Sequence, residues 1–273
     1  MMGAMTSEPG ASIALRTLPN LRDIGGWRAD DGVVVTGQFF RSTALSQLDD
    51  ADKSTLESYG IRTVYDLRTA AERAGAPDET LDGATEIAID VLADASLAIP
   101  ANLGTILSDP SVVAKVRDEL GDGKAATLIA GSYRDIVGLP SALASYRRLF
   151  LGLAGEATGP ALMHCTTGKD RTGWGAAAFL SLMGVPRADV FRDYLLTNEQ
   201  LLPALASIFD GFAAAGGDPA ILRPVLGVDR AYLEGAFDEV DSRFGGIEGY
   251  FTDGLGIDIA TQKTLRERYI RRP

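Results

Sequence analysis

The sequence has only one cysteine and one histidine in 273 residues. A lone cysteine excludes an internal disulfide, and one of each is too few for a zinc-finger-type metal centre. No apolar run approaches the roughly 18–20 residues that a membrane-spanning helix needs. The opening MMGAMTSEPGAS lacks the basic and apolar regions of a secretory signal. Residues 1–12 therefore read as a flexible tail, and the expected location is cytoplasmic, or secreted without a recognisable signal peptide. Positive charge is also short: 26 Lys and Arg stand against 37 Asp and Glu, for a net charge of −11. That balance argues against a generic nucleic-acid surface. Any anionic substrate must then find a locally positive pocket. The one basic cluster, Arg266, Arg268, Arg271 and Arg272, reads as a solvated helix end, where cations suit the helix dipole.

What is present is enough apolar residue, 46% of the chain, for a sizeable core, with no repeats or low-complexity linker. A single domain over 13–273 is expected. Short strands are expected at 38–41, 61–67, 86–91 and 160–164. Helices are expected at 49–59, 111–120, 141–154, 188–202 and 229–244, with Asp229 and Asp258 as N-caps of the last two helices. Glycine-rich turns are expected between 120 and 141. WGAAAFLSLMG is apolar on nearly every side, which marks a buried helix, and Gly184 and Pro186 end it. Strands alternating with helices predict an α/β layered fold: a central, mostly parallel sheet flanked by helices.

The chemistry lies where that buried helix begins. In His164-Cys165-Thr166-Thr167-Gly168-Lys169-Asp170-Arg171-Thr172-Gly173, five residues separate Cys165 from Arg171. Between a strand and a helix, such a loop can curl its backbone N–H groups toward one centre. The helix N-terminus adds more donors, making a nest for a tetrahedral oxyanion. Gly168 relieves strain where the loop reverses. Arg171 returns a planar, two-pronged donor to the same anion. Cys165, on the floor of the nest, is placed to attack phosphorus as a thiolate and form a phosphocysteine that water hydrolyses. Thr172 is placed to donate to the sulfur. His164 is expected to brace the loop rather than act as a base. No metal and no cofactor are called for.

HCTTGKDRTG resembles the signature loop of protein-tyrosine and dual-specificity phosphatases. More narrowly, the chain is similar to the bacterial protein-tyrosine phosphatase B-like group. The resemblance also takes in LPNLRDIGG, FFRSTALSQLDD, VYDLRTAAE, DYLLTNE and LGVDRAYLEGAFDEVDSRFGGIEGYFTDGLGI. It implies a tyrosine-phosphatase-like fold with a helical lid, here within about 198–244, where core packing is the ordinary reading. It also implies hydrolysis of phosphotyrosine, often with phosphoserine, phosphothreonine and phosphoinositides accepted. The expected partner is thus a phosphorylated protein or lipid. Thr166, Thr167, Gly168, Lys169 and Gly173 are expected to bind substrate, with Lys169 either a second phosphate site or a surface lysine of the loop. Arg22, Asp23 and Arg41 are expected either at the pocket rim or in structural ion pairs; Tyr133 and Arg134 are further rim candidates. The Trp-Pro-Asp acid loop of better-known members is missing, so the general acid is expected to be Asp170, with Asp66 second; Asp170 has the alternative role of orienting Arg171 or loop N–H groups.

Two other readings stay open on sequence. A catalytically silent phosphate-binding module would keep the nest, though it would not need the thiol. A rhodanese-like sulfurtransferase would instead form a persulfide on Cys165. An arsenate reductase normally needs a further thiol.

Overall fold

The computed structural model describes residues 8–95, 110–155 and 159–273. Its strands are β1 (Arg22–Asp23), β2 (Arg28–Ala29), β3 (Gly32–Val34), β4 (Phe39–Ser42), β5 (Thr63–Asp66), β6 (Thr85–Ala88), β7 (Ala161–His164) and β8 (Ile270–Arg271). The helices that matter here are α1 (Asp50–Ser58), α2 (Ala70–Gly75), α3 (Pro110–Leu120), α4 (Lys124–Gly138), α5 (Pro140–Ala154), α6 (Arg171–Leu182), α7 (Arg187–Leu201), α8 (Ala206–Ala214), α9 (Arg230–Phe244) and α10 (Ile259–Tyr269). Of the expected tail, residues 1–7 lie outside the described residues. From Glu8 the chain already packs: Gly10 O accepts from Gln200 Nε2 at 2.8 Å, and Ser12 bridges to Arg22.

The central sheet runs β1-β4-β7-β5-β6, parallel throughout except for the edge strand β1. β7, the middle strand, is buried on both faces, as an apolar run flanked by parallel neighbours should be. Its last residue, His164, is level with Ser42 of β4 and Asp66 of β5. Three loops therefore leave the sheet side by side at the carboxyl edge, where ligands bind in open α/β sheets. α6 follows directly and is buried almost throughout, with Trp174 and Phe179 at 0% exposure. It lies close on β7 because Gly175 carries no Cβ; one would come 2.7 Å from the Met163 sulfur.

Three expectations need correction. The interval between 120 and 141 contains α4, fifteen residues long, rather than a string of turns. Gly123 and Gly131 mask it in sequence, but Ala125, Ile129, Tyr133, Ile136 and Val137 form one buried stripe that packs on α9. The segment 198–244, for which lid and core packing are both open on sequence, divides into two parts. α9 belongs to the main core through Tyr232, Leu233, Ala236, Phe237 and Val240. Only the part around α8 stands apart, where Phe212, Leu222 and Leu226 share a small core with Val113 and Val116 of α3. Asn198 clasps the base of that satellite: its side chain donates to Val228 O and accepts from Val228 N, both at 2.8 Å.

The C-terminal arginines are likewise not simply solvated. Arg266 and Arg272 pair with Asp31, Arg266 donates to Leu182 O at 2.9 Å, and Arg268 donates to Gly155 O. β8 meanwhile completes a small antiparallel sheet with β2 and β3. Tyr133, a rim candidate, is fully buried.

Candidate active site

Cys165 is the first residue beyond β7 and is 2% exposed. The loop that follows is held from outside by its carbonyls. Cys165 O meets His164 Nδ1 at 3.2 Å, and Thr166 O accepts from Ala44 N at 3.1 Å. Asn20 Nδ2 donates to Thr167 O at 3.3 Å and to Gly168 O at 3.1 Å, and Arg41 Nη2 donates to Gly168 O at 2.8 Å. In a planar trans peptide the N–H points opposite to the C=O. Anchoring these four carbonyls outward therefore turns the N–H groups of residues 166–169 inward. None of those N–H groups has an acceptor among the described residues. Gly168 makes the reversal possible: its φ is +65°, and a Cβ there would sit 2.1 Å from Ser42 O.

Arg171 opens α6 and faces Glu72 of α2. Nη1 and Nη2 each lie 2.7 Å from a Glu72 oxygen, and Nη1 also donates to Leu67 O at 3.4 Å. These bonds use three of the five guanidinium protons. The two left, on Nε and Nη2, share one edge and form a second fork. Glu72 is itself fixed: it closes a capping box with Thr69 and accepts from Thr166 Oγ1. Burial alone would raise the Glu72 carboxyl, but the hydrogen bond and charge of Arg171, then Thr166 and the Thr69 N–H, bring it down to about 2.

Lys169 is 3% exposed, so it is not a surface lysine; its Nζ donates to Asp170 Oδ1 at 2.9 Å and forms an ion pair with Oδ2 at 2.7 Å. Asp170 Oδ1 also accepts from Tyr133 at 2.8 Å. Asp170 stays partly open, at 16% side-chain exposure. Thr166 and Thr167 are half-buried beside it, although the Thr166 hydroxyl is committed to Glu72. Thr172 Oγ1 is fully buried and has no hydrogen-bond partner, so the expected bond to the sulfur is not formed in this state. Gly173 lies in the first turn of α6, where a Cβ would press on the Tyr194 ring at 3.1 Å.

Arg22 and Arg41 adopt the structural alternative and are fully buried. Asp193 of α7 receives Arg22 Nε at 3.0 Å and Arg41 Nη1 at 2.7 Å. Burial, then the neighbouring Arg22 charge, pulls Arg41 down to about 10, and Asp193 limits that fall. Burial would raise the Asp193 carboxyl, but its two arginines hold it below the usual carboxylate range. Asp23 accepts from Gly25 N at 2.8 Å and so shapes a turn instead of the pocket.

Asp66, the second acid candidate, is unavailable. It is buried and takes hydrogen bonds from Arg68 N, Nε and Nη2 at 2.8–3.1 Å. His164 Nε2 lies 3.2 Å from Asp78 Oδ2, out of line for a good hydrogen bond. Asp66, Asp78 and His164 converge closely enough to hold an ion. Arg68 already lies among them, however, and donates to both carboxylates.

The sequence matches one family model, the tyrosine phosphatase family, over residues 13–271. The chain belongs to the tyrosine phosphatase family. By class it is a phosphoric monoester hydrolase. It is 32% identical to the triple specificity protein phosphatase PtpB of Mycobacterium tuberculosis, across 93% of this chain and 98% of that protein. It is 30% identical to a tyrosine-protein phosphatase of Nostoc commune, across 84% of this chain and 73% of that protein.

For a tyrosine phosphatase family member, one residue that sequence reading misses, beside Asn20, Asp193 and Tyr194, is Glu72. Its one local signal is Thr69-x-x-Glu72, a helix-start pattern that does not reveal the pairing with Arg171. The pairing has a pH signature. The folded value near 2 lies below the ordinary 4.5, so Glu72 stabilises the fold fully above about pH 4.5 and loses that contribution as pH falls toward 2. Glu72→Gln is expected to flatten the acid side of the stability curve in this window. Chemical denaturation at stepped pH measures it, and an unchanged slope would contradict the pairing.

Proposed function

We propose that the chain hydrolyses phosphotyrosine, and with it phosphoserine, phosphothreonine or phosphoinositide monoesters, through a phosphocysteine on Cys165. The observation carrying this reading is the loop itself, whose carbonyls are tied back so that its N–H groups turn inward, while Arg171 at its end keeps one fork of its guanidinium free of Glu72. Those donors suit the three equatorial oxygens of a phosphoryl group in flight. The Cys165 thiolate attacks phosphorus in line, and Asp170 gives its proton to the departing oxygen. A water then attacks the phosphocysteine, Asp170 takes up a proton, and phosphate and thiolate are released. Thr172 Oγ1, buried and unpartnered, is available to donate to the sulfur as it leaves.

The test is phosphate release from phosphotyrosine in the presence of a chelator, inhibited by vanadate, with acid quenching during turnover. A phosphoryl group mapped to Cys165 by mass spectrometry is the expected result. A requirement for added divalent cation, or label found elsewhere, would overturn the proposal.

Lys169 carries the breadth of substrate. Its ammonium rests on Asp170, and turning it outward would supply a point charge for a second phosphate. Lys169→Ala is expected to lower kcat/KM on a phosphoinositide by roughly tenfold while phosphotyrosine peptide changes by less than about threefold. An equal loss on both would tie Lys169 to Asp170 alone.

A further inference from the structure

Tyr133 takes no chemical step in that scheme, yet it is fully buried with its hydroxyl on Asp170. We propose that Tyr133, backed by Tyr194, is a positioning residue that pins one oxygen of the Asp170 carboxyl and presents the other to the leaving group. The inference rests on Asp170 being the general acid.

The two oxygens are not equivalent. Oδ1 accepts from Tyr133 at 2.8 Å and from Lys169 at 2.9 Å, whereas Oδ2 accepts no hydrogen bond among the described residues and has only the ion-pair contact with Lys169 Nζ, at 2.7 Å. A carboxylate oxygen offers about two acceptor sites. Oδ1 is therefore saturated, and the transferable proton belongs on Oδ2. When Lys169 turns toward substrate, Tyr133 becomes the one side chain holding the carboxyl in plane.

The direction of the chain is also set. An ionised carboxylate only accepts, so Tyr133 donates to it, and the Tyr194 hydroxyl, 2.5 Å away, donates to Tyr133. Burial, joined by the Asp170 charge, raises both phenols well above 10, so both remain donors. Three helices fix the hydroxyl. Tyr133 comes from α4, Tyr194 from α7 meets its ring edge-on at 6.3 Å, and Tyr232 from α9 lies at 5.8 Å. The Tyr194 ring in turn rests on Gly173. Misplacing a catalytic group by about 1 Å can cost roughly a hundredfold in rate.

The test is a series of aryl phosphates running from 2,4-dinitrophenyl, which leaves without help, to phenyl, which needs a proton. Tyr133→Phe is expected to lower kcat/KM on phenyl phosphate by roughly 10–30-fold and on 2,4-dinitrophenyl phosphate by less than about twofold. Asp170→Asn should steepen the series at least as much, and the double variant should be no worse than Asp170→Asn. Tyr194→Phe, which keeps its ring, should show a smaller loss in the same direction, and it decides the matter if Tyr133→Phe does not fold. An equal loss across the series would assign the tyrosines to stability alone and overturn the inference. A steep Asp170→Asn with a flat Tyr133→Phe would do the same while leaving Asp170 as acid. A flat Asp170→Asn would remove the acid assignment first, and the inference with it.

Discussion

Cys165→Ser is expected to lose turnover of phosphotyrosine by about 10⁴-fold or more, equivalent to about 5 kcal/mol of transition-state stabilisation. The reason is local. An alcohol of that size fits the same buried position beyond β7, but it does not ionise near neutral pH as a thiol does. The donors proposed to hold phosphate are untouched, because the loop carbonyls are anchored by Asn20, Arg41, Ala44 and His164 and not by the sulfur. Binding of a phosphotyrosine peptide, followed by equilibrium dialysis, should therefore survive within a few-fold. The split between lost turnover and kept binding separates this enzyme from a module that merely holds phosphate. Residual turnover above about 1% of wild type would show that another group attacks phosphorus.

Asp193→Asn is expected to destabilise the protein by about 3–5 kcal/mol. Asp193 lies between two fully buried arginines, and removing its charge leaves Arg22 and Arg41 in the interior without a counter-ion. Arg41 also carries the loop, since its Nη2 holds Gly168 O. Activity should consequently fall along with stability. Urea unfolding measures the first effect as a lower midpoint at unchanged slope. A loss under about 1 kcal/mol would mean that the triad is hydrated and contributes as little as a surface pair.

These two sites differ in how far sequence reveals them. Cys165, Gly168 and Arg171 lie within one short stretch, preceded by an apolar strand and followed by an apolar helix. Their geometry follows from local rules about turns and helix starts. Asp193 meets Arg22 across 171 residues and Arg41 across 152, and Glu72 meets Arg171 across 99. No spacing announces such pairs. Charged residues are expected at the surface, so Arg22 and Arg41 left open whether they meet substrate or an acidic partner. α4 was hidden for a different reason: its glycines lower helix propensity, and packing against α9 outweighs them. Tyr133 therefore read as a rim residue, although the helix that carries it turns its hydroxyl onto Asp170. The parallel order of β4, β7, β5 and β6 followed the alternation of strands and helices.

The Asn198 clasp joins positions thirty residues apart by one amide side chain and the N–H and C=O of a single residue, Val228. Between them the stretch around α8 packs on its own small core, so changes of length within it leave the central sheet in place. Lengthening a tethered segment costs only about 0.6 kcal/mol for each doubling. Insertions and deletions around α8 are thereby tolerated more cheaply than in the strands that lead to Cys165.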